Sequence, residues 1–330
     1  MQDDATKLVR PGTVWLDDSG SPIQAHGGGI LAWDGVYYWY GEDKRLGNFN
    51  RTGVSCYSSR DLLHWRHEGV VLPKAHMPAA FRDEGICERP KVLRCPATGK
   101  FVMWMHLDDQ AYLVAQAGVA VADAPTGPFE FVRGFRPINF TYPLAGEDRC
   151  REHELGGTYR DMTLFQDDDG QAYVFYSSES NWTMYICRLR PDYLGIVEPA
   201  VQGETWQRVL VKQKREAPAP FKFGGRYYLI TSGCSGWAPN AADVAVADHV
   251  LGPYMQLGNP CSGPGAETTF ESQSTFVIAN PFKPAGHFIF MADRWKKDEL
   301  HDSRYVWLPF AMDHAGRFKL EYRDAWDPRA

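Results

Sequence analysis

"KREAPAPFKFGGRYYLITSGCSGW", residues 214–237, decides the fold. At its centre a Gly224-Gly225 turn is followed by an apolar run containing Tyr227 and Tyr228, then by a small polar cluster. A turn glycine feeding an aromatic run reads as the second half of a β-hairpin. The pattern recurs four more times, in "WDGVYYWYGED" (33–43), "ATGKFVMWMHLDD" (97–109), "DDGQAYVFYSSES" (168–180) and "PAGHFIFMADRW" (284–295). The turn glycines at 35, 99, 170, 225 and 286 stand 64, 71, 55 and 61 residues apart.

Near-equal repetition of an all-β unit points to radial architecture. A second motif lies between the turns, in "SSRDLLHW" (58–65), "ADAPTGPFEF" (122–131) and "ADHVLGPYMQ" (247–256). Each copy reads as a strand end, a turn and an outer strand, so each unit holds about four strands. Four-stranded sheets around one axis form a β-propeller. The expectation is an all-β, five-bladed propeller occupying 1–330 as a single domain, since no Ser/Gly linker or composition shift interrupts it. A β-sandwich is the alternative, but it gives no reason for five turns to share their chemistry. The longest spacer, 133–159, reads as a rim or lid.

Composition narrows the partners. Aromatic residues make up 14% of the chain, which suits half-buried strands and surfaces that grip sugar rings. A net charge of -6 with no basic run excludes nucleic acid as the main partner. No apolar stretch approaches the roughly 18 residues of a membrane span. The seven cysteines lack C-x-x-C spacing and read as small buried hydrophobes, neither a zinc site nor a disulfide framework. The polar start, Met1-Gln-Asp-Asp-Ala, is no signal peptide.

In a propeller, polar residues at equivalent blade positions converge on a central depression. The candidates are Gln24, His26, Glu42, Glu88, Asp161, Glu216, Gln273, Asp293 and Arg304. Glu88, Asp161 and Glu216 share a setting: each abuts an arginine (Arg89, Arg160, Arg215) and precedes a hydrophobic strand. One such acid alone reads as an ion pair with its neighbour. Three at repeat-equivalent places read as a pocket of carboxylates with aromatic walls, which is what glycosidic cleavage needs. One carboxyl must protonate the leaving oxygen while another group orders water on the opposite face. Like-charge repulsion would raise the pKa of the acid toward working pH.

The stretches "IQAHGGGI", "YYWYGEDK", "ERPKV", "RDMTLFQDDDG", "REAPAPFK", "YYLITSGCSGWAPN", "SQSTFV" and "MADRW…DSRYVWLP" carry a resemblance to glycoside hydrolase family 43. The likeness is strongest to its exo-β-1,3-galactanase branch and sister groups, and it spans about 20 to 310 in the family's order. It implies a five-bladed propeller with Glu216 as general acid and Asp161 as the carboxylate that tunes it. The family's blade-one aspartate base is missing, because this chain reads Gln24-Ala25-His26-Gly27 there. The branch shares that departure, and the resemblance gives the water to Gln273, as an imidic tautomer. A neutral amide is a poor base, so Glu88 and His26 stay open as alternatives. Glu88 also matches a sugar contact, while Tyr112, Asn181 and Trp237 match pocket-lining positions. His26 and Arg304 are further substrate-binding candidates. Some family members hold an axial calcium ion, but no dense carboxylate loop here calls for one and no cofactor is expected.

The implied activity is inverting release of galactose from β-1,3-galactan, the arabinogalactan backbone. An α-L-arabinofuranosidase and a non-catalytic carbohydrate-binding propeller are the competing expectations. A glycan substrate of plant origin implies a periplasmic or extracellular site.

Overall fold

The computed structural model describes residues 8–49, 51–83, 85–144 and 146–330. Its strands fall into successive sheets. The first is β1 (His26–Trp33), β2 (Val36–Asp43), β3 (Gly53–Ser59) and β4 (Arg66–Pro73). The second is β5 (Ile86–Arg94), β6 (Phe101–Asp108), β7 (Gln116–Ala122) and β8 (Glu130–Phe135). The third is β9 (Met162–Gln166), β10 (Ala172–Ser178), β11 (Thr183–Arg188) and β12 (Trp206–Val209). The fourth is β13 (Arg215–Phe223), β14 (Arg226–Gly233), β15 (Asp243–Ala247) and β16 (Met255–Gly258). A short β17 (Cys261–Ser262) leads to the fifth, β18 (Gln273–Ala279), β19 (His287–Arg294) and β20 (Arg304–Ala311). Last, β21 (Leu320–Glu321) pairs in parallel with β17.

All five are antiparallel meanders in chain order. First strands pack on one another in a closed cycle: β1 on β5, β5 on β9, β9 on β13, β13 on β18, and β18 on β1. This is a five-bladed β-propeller. One expectation needs correction. Among the described residues the fifth sheet has three strands rather than four, and β21 packs beside β20.

The turn glycines sit at equivalent places, each between the first and second strands of its blade, with φ from +70° to +93°. That backbone favours glycine because it has no Cβ to clash. The second strands are apolar without alternation because both of their faces are buried between blades. In β6, Val102 and Trp104 enter the core shared with blade three, while Phe101, Met103 and Met105 enter the core shared with blade one. In β2, Trp39 faces blade five and Tyr40 faces blade two. Five apolar clusters therefore fill the five blade interfaces. Trp307 belongs to one of them, packed against Trp15, Trp39 and Trp65.

The described residues of 133–159 line neither site cavity. They buttress the loops behind the site instead. Arg136 donates to the carbonyls of Val114, Cys150 and Gly156, and buried Glu152 accepts from Thr158 N and Ser180 Oγ. All seven cysteines are free, five of them buried. No helix among the described residues is long and apolar enough to cross a membrane.

Candidate active site

Four of the five first strands carry a register shift near their start: His26/Gly29, Glu88/Lys91, Glu216/Ala219 and Ser274/Phe276. In three of them the next residue turns left-handed, Gly27 at φ +59°, Arg89 at +52° and Ala217 at +54°. A bulge re-aims the side chain beside it. Here bulges turn Glu88 and Glu216 toward a cavity of about 210 Å³ over the central ring. Its lining also includes Glu42, Arg89, His106, Tyr112, Asp161, Asn181, Trp237, Gln273 and Trp295. Each blade thus contributes at least one polar side chain.

Glu216 is only 8% exposed. Its Oε1 accepts from Gln273 Nε2 at 3.0 Å and its Oε2 from Asn181 Nδ2 at 3.3 Å. Burial first, then the negative charge of Asp161, push its carboxyl up to about 8, although Arg89 opposes them. The group is therefore a carboxylic acid at neutral pH.

None of the three acids pairs with its sequence neighbour. Arg215 turns away from Glu216 and donates to Thr231 Oγ1 and the Thr231 carbonyl, at 3.0 and 2.7 Å. Arg160 bonds the Tyr112 carbonyl at 2.6 Å. Asp161 is paired from another blade, by Arg89 Nε at 2.9 Å. Alternation separates Arg215 from Glu216 within β13, and the left-handed φ of +52° at Arg89 turns it from Glu88 toward Asp161.

Arg89 is the hub that the sequence reading missed. Its Nη2 donates to Gln273 Oε1 at 2.5 Å and its Nη1 to the Ser274 carbonyl at 3.1 Å. Its backbone N–H donates to Glu42 Oε1 at 3.0 Å, and Glu42 Oε2 pairs with Lys44 at 2.6 Å. Three pocket groups, Asp161, Gln273 and Glu42, are therefore fixed by one buried residue.

Three expectations are corrected. An inverting arrangement implies about 6.5–9.5 Å between acid and water-holding group, yet Gln273 touches Glu216 at 3.0 Å. The cause is topological, because β13 and β18 are adjacent first strands. His26 does not face the pocket; it is 0% exposed and stacked on Tyr305 at 5.2 Å. Burial, with Lys44, Arg304 and His301 nearby, lowers its pKa to about 3. Its strand partner Glu42 reaches the pocket instead, so blade one does supply a carboxylate there. Arg304, paired with Asp302 at 2.6 Å, lines a neighbouring cavity of about 460 Å³ that shares Gln273 with the pocket. Trp237 and Trp295, edge to face at 5.5 Å, line both cavities. Trp295 Nε1 also donates to Gln273 Oε1 at 3.0 Å.

The residues around the ring do not fit a metal. Among the described residues no group of three or more His, Cys, Asp or Glu could hold one. Carbonyls that could serve a cation already serve the buried Lys91, whose Nζ donates to Gly27 O at 2.7 Å and Arg89 O at 3.3 Å.

The family model for glycosyl hydrolases family 43 matches residues 27–262. The chain belongs to that family. It is 41% identical to a family 43 β-1,3-galactosidase solved with galactodeoxynojirimycin, covering 97% of this chain and 100% of that one, with a TM-score of 0.87. It is 35% identical to an exo-β-1,3-galactanase from Clostridium thermocellum, covering 98% of this chain and 67% of that one, with a TM-score of 0.85. A β-D-galactofuranosidase from Aspergillus niger is 25% identical over 236 residues, 66% of this family 43 chain. The chain spans 59% of the length of that relative.

Proposed function

We propose that this family 43 chain is an inverting exo-β-1,3-galactanase, removing terminal galactose from β-1,3-galactan or the arabinogalactan backbone. The observation that carries it is Glu216, a carboxyl held protonated by burial and Asp161 in a small aromatic-walled pocket. Relatives that act on β-1,3-galactosyl linkages support the sugar and linkage.

Glu216 protonates the departing oxygen. Asp161 raises its pKa from blade three, and Arg89 holds Asp161 in place. Gln273 orients the acid, because both of its amide hydrogens are engaged, one on Glu216 and one on Ser232 Oγ at 3.0 Å. Its Oε1 already accepts from Arg89 and Trp295, so an imidic O–H would displace a donor. The water then falls to a carboxylate across the cycle of first strands. Glu88 on β5 lies two blades from β13 and accepts from Tyr112 at 2.8 Å. We assign it as the base. Trp237 supplies the stacking face for the sugar. A glycan of this kind lies outside the cell, so we propose a periplasmic or extracellular site of action.

The test is a parallel assay on β-1,3-galactan, 4-nitrophenyl β-galactoside and 4-nitrophenyl α-L-arabinofuranoside, with NMR of the first product. The expected result is α-galactose released one unit at a time from the glycan. Turnover of the arabinofuranoside alone would sink the reading, as would binding without turnover. Initial β-galactose would overturn inversion.

A further inference from the structure

The hairpin that delivers Glu88 delivers a second group with it. In the β5–β6 register Glu88 stands opposite His106. His106 is buried between two carboxylates, with Nε2 2.9 Å from Asp108 Oδ2 and Nδ1 3.4 Å from Glu88 Oε2. Asp108 is itself fixed, because its Oδ1 accepts from the backbone N–H groups of Asp109, Val114 and Ala115 at 3.0, 2.8 and 3.0 Å. Those bonds also shape the 109–115 loop, which carries Tyr112 at φ +55° onto Glu88.

Burial alone would drive His106 neutral. The hydrogen bond to Asp108 and the negative charges of Asp108 and Glu88 overcome it and lift the ring to about 9. Burial likewise works to raise the Glu88 carboxyl, but His106, Lys44 and Tyr112 together hold it below the usual carboxylate range. The other charged groups around the pair are few. Glu42, paired with Lys44 at 2.6 Å, also repels Glu88 directly, Lys74 attracts it at longer range, Asp161 acts on Tyr112, and Arg160 lies 4.0 Å from Asp108.

We infer that His106, braced by Asp108, is a positioning residue whose imidazolium keeps Glu88 ionised and aimed into the pocket. An ionised carboxylate only accepts hydrogen bonds, which is the state needed to take a proton from water or a sugar hydroxyl. The same fold thus poises two carboxyls oppositely, one protonated at Glu216 and one bare at Glu88. The inference rests on the glycosidase reading for its consequence, though not for its geometry.

The test is the pH dependence of kcat/KM on β-1,3-galactan for wild type and His106→Gln, which keeps a donor and removes the charge. Activity needs ionised Glu88, so it falls as pH drops through the pKa of Glu88. Losing a neighbouring cation raises that pKa by about one unit or more. The acidic limb should therefore move to higher pH by that amount, with the alkaline limb set by Glu216 unmoved. A uniform drop in rate with both limbs in place would mean packing alone and overturn the inference. Nitrogen-15 NMR of the wild-type imidazoles judges it independently of substrate or of the variant's folding. His106 should carry both protons at pH 7.5, and a neutral ring there would refute it. If wild type releases no galactose, the functional proposal fails while the imidazole titration still decides this one.

Discussion

Gln273 and Glu216 share a hydrogen bond of 3.0 Å at the floor of the pocket, joining the starts of two adjacent first strands. The contact makes Gln273 a partner of the acid rather than its opposite number. Once Glu216 has given up its proton, the Gln273 N–H stabilises the carboxylate left behind. Such a bond to a charged group contributes about 1.5–3 kcal/mol. Opposite β13 in the cycle stand β1 and β5, and the pocket carboxylates from that side are Glu42 and Glu88.

Glu216→Gln should lower kcat on β-1,3-galactan about a hundredfold or more, the usual scale for removing a general acid. In wild type the reactive form is protonated, so activity should decline as pH rises through about 8. Stopped assays from pH 5 to 10 check both. Unchanged turnover in the variant, or an alkaline limb near pH 5, would remove Glu216 from the role.

The same substitution should stabilise the fold in a pH-dependent way. The folded pKa of Glu216, about 8, lies above its ordinary value of 4.5. A carboxyl shifted upward contributes stability that is fully present below the unfolded pKa and lost as pH rises toward the folded one. Glutamine does not titrate. The melting temperature of Glu216→Gln should therefore match wild type near pH 4 and exceed it increasingly up to pH 8. The ceiling is about 4–5 kcal/mol, from roughly 1.4 kcal/mol per unit.

Much of this was legible beforehand because hairpins announce themselves. Gly35, Gly99, Gly170, Gly225 and Gly286 mark the turns, and the continuous aromatic runs after them reflect strands buried on both faces. Glu88, Asp161, Glu216 and Gln273 stand out as polar residues at the starts of those hairpins. What the sequence hid is how bulges redirect neighbours. His26 occupies the same hairpin place as Glu88 and Glu216, yet it is buried, and its cross-strand partner Glu42 takes the pocket position. Arg89 read as the local mate of Glu88, but a positive φ sends it to Asp161 and Gln273. His106 left only a misleading signal, because counting back across the Gly99 turn pairs it with Arg89, and it is the bulge between Glu88 and Lys91 that brings it opposite Glu88. The three-stranded fifth blade had none, since the loss of an outer strand leaves the inner hairpin pattern intact.

Alanine should cost more at Gly41 than at Gly225. At Gly41 a Cβ would stand 2.1 Å from the Ala25 carbonyl carbon, so backbone would have to move where blade one meets the N-terminal segment. Overpacking against backbone costs about 1–3 kcal/mol or more, and Gly41→Ala should lower the melting temperature by several degrees. At Gly225 φ is +77° but nothing lies within 4 Å. Gly225→Ala should cost only the left-handed strain, about 1–2 kcal/mol. Thermal melts of both variants decide it, and an equal or reversed order would show that the blade-one approach is looser than described.

The last prediction separates acid-holding from water-holding. If Glu88 takes the proton from water, Glu88→Ala should lose about a hundredfold to ten-thousandfold in kcat, the range for a missing general base. Azide should then restore turnover, because a small anion can attack without deprotonation, and the product should be the inverted galactosyl azide. Gln273→Ala removes a hydrogen bond to the acid and leaves Glu88 in place. It should lose about 10- to 100-fold, the kinetic equivalent of that bond, and azide should not help it. Its alkaline limb should also rise, since the lost donor stabilised ionised Glu216. The opposite pattern, with azide rescuing Gln273→Ala and not Glu88→Ala, would return the water to Gln273 despite its 3.0 Å contact with the acid. Sugar binding would then have to break that contact, because all four of its hydrogen bonds, to Glu216, Ser232, Arg89 and Trp295, leave no valence free for water.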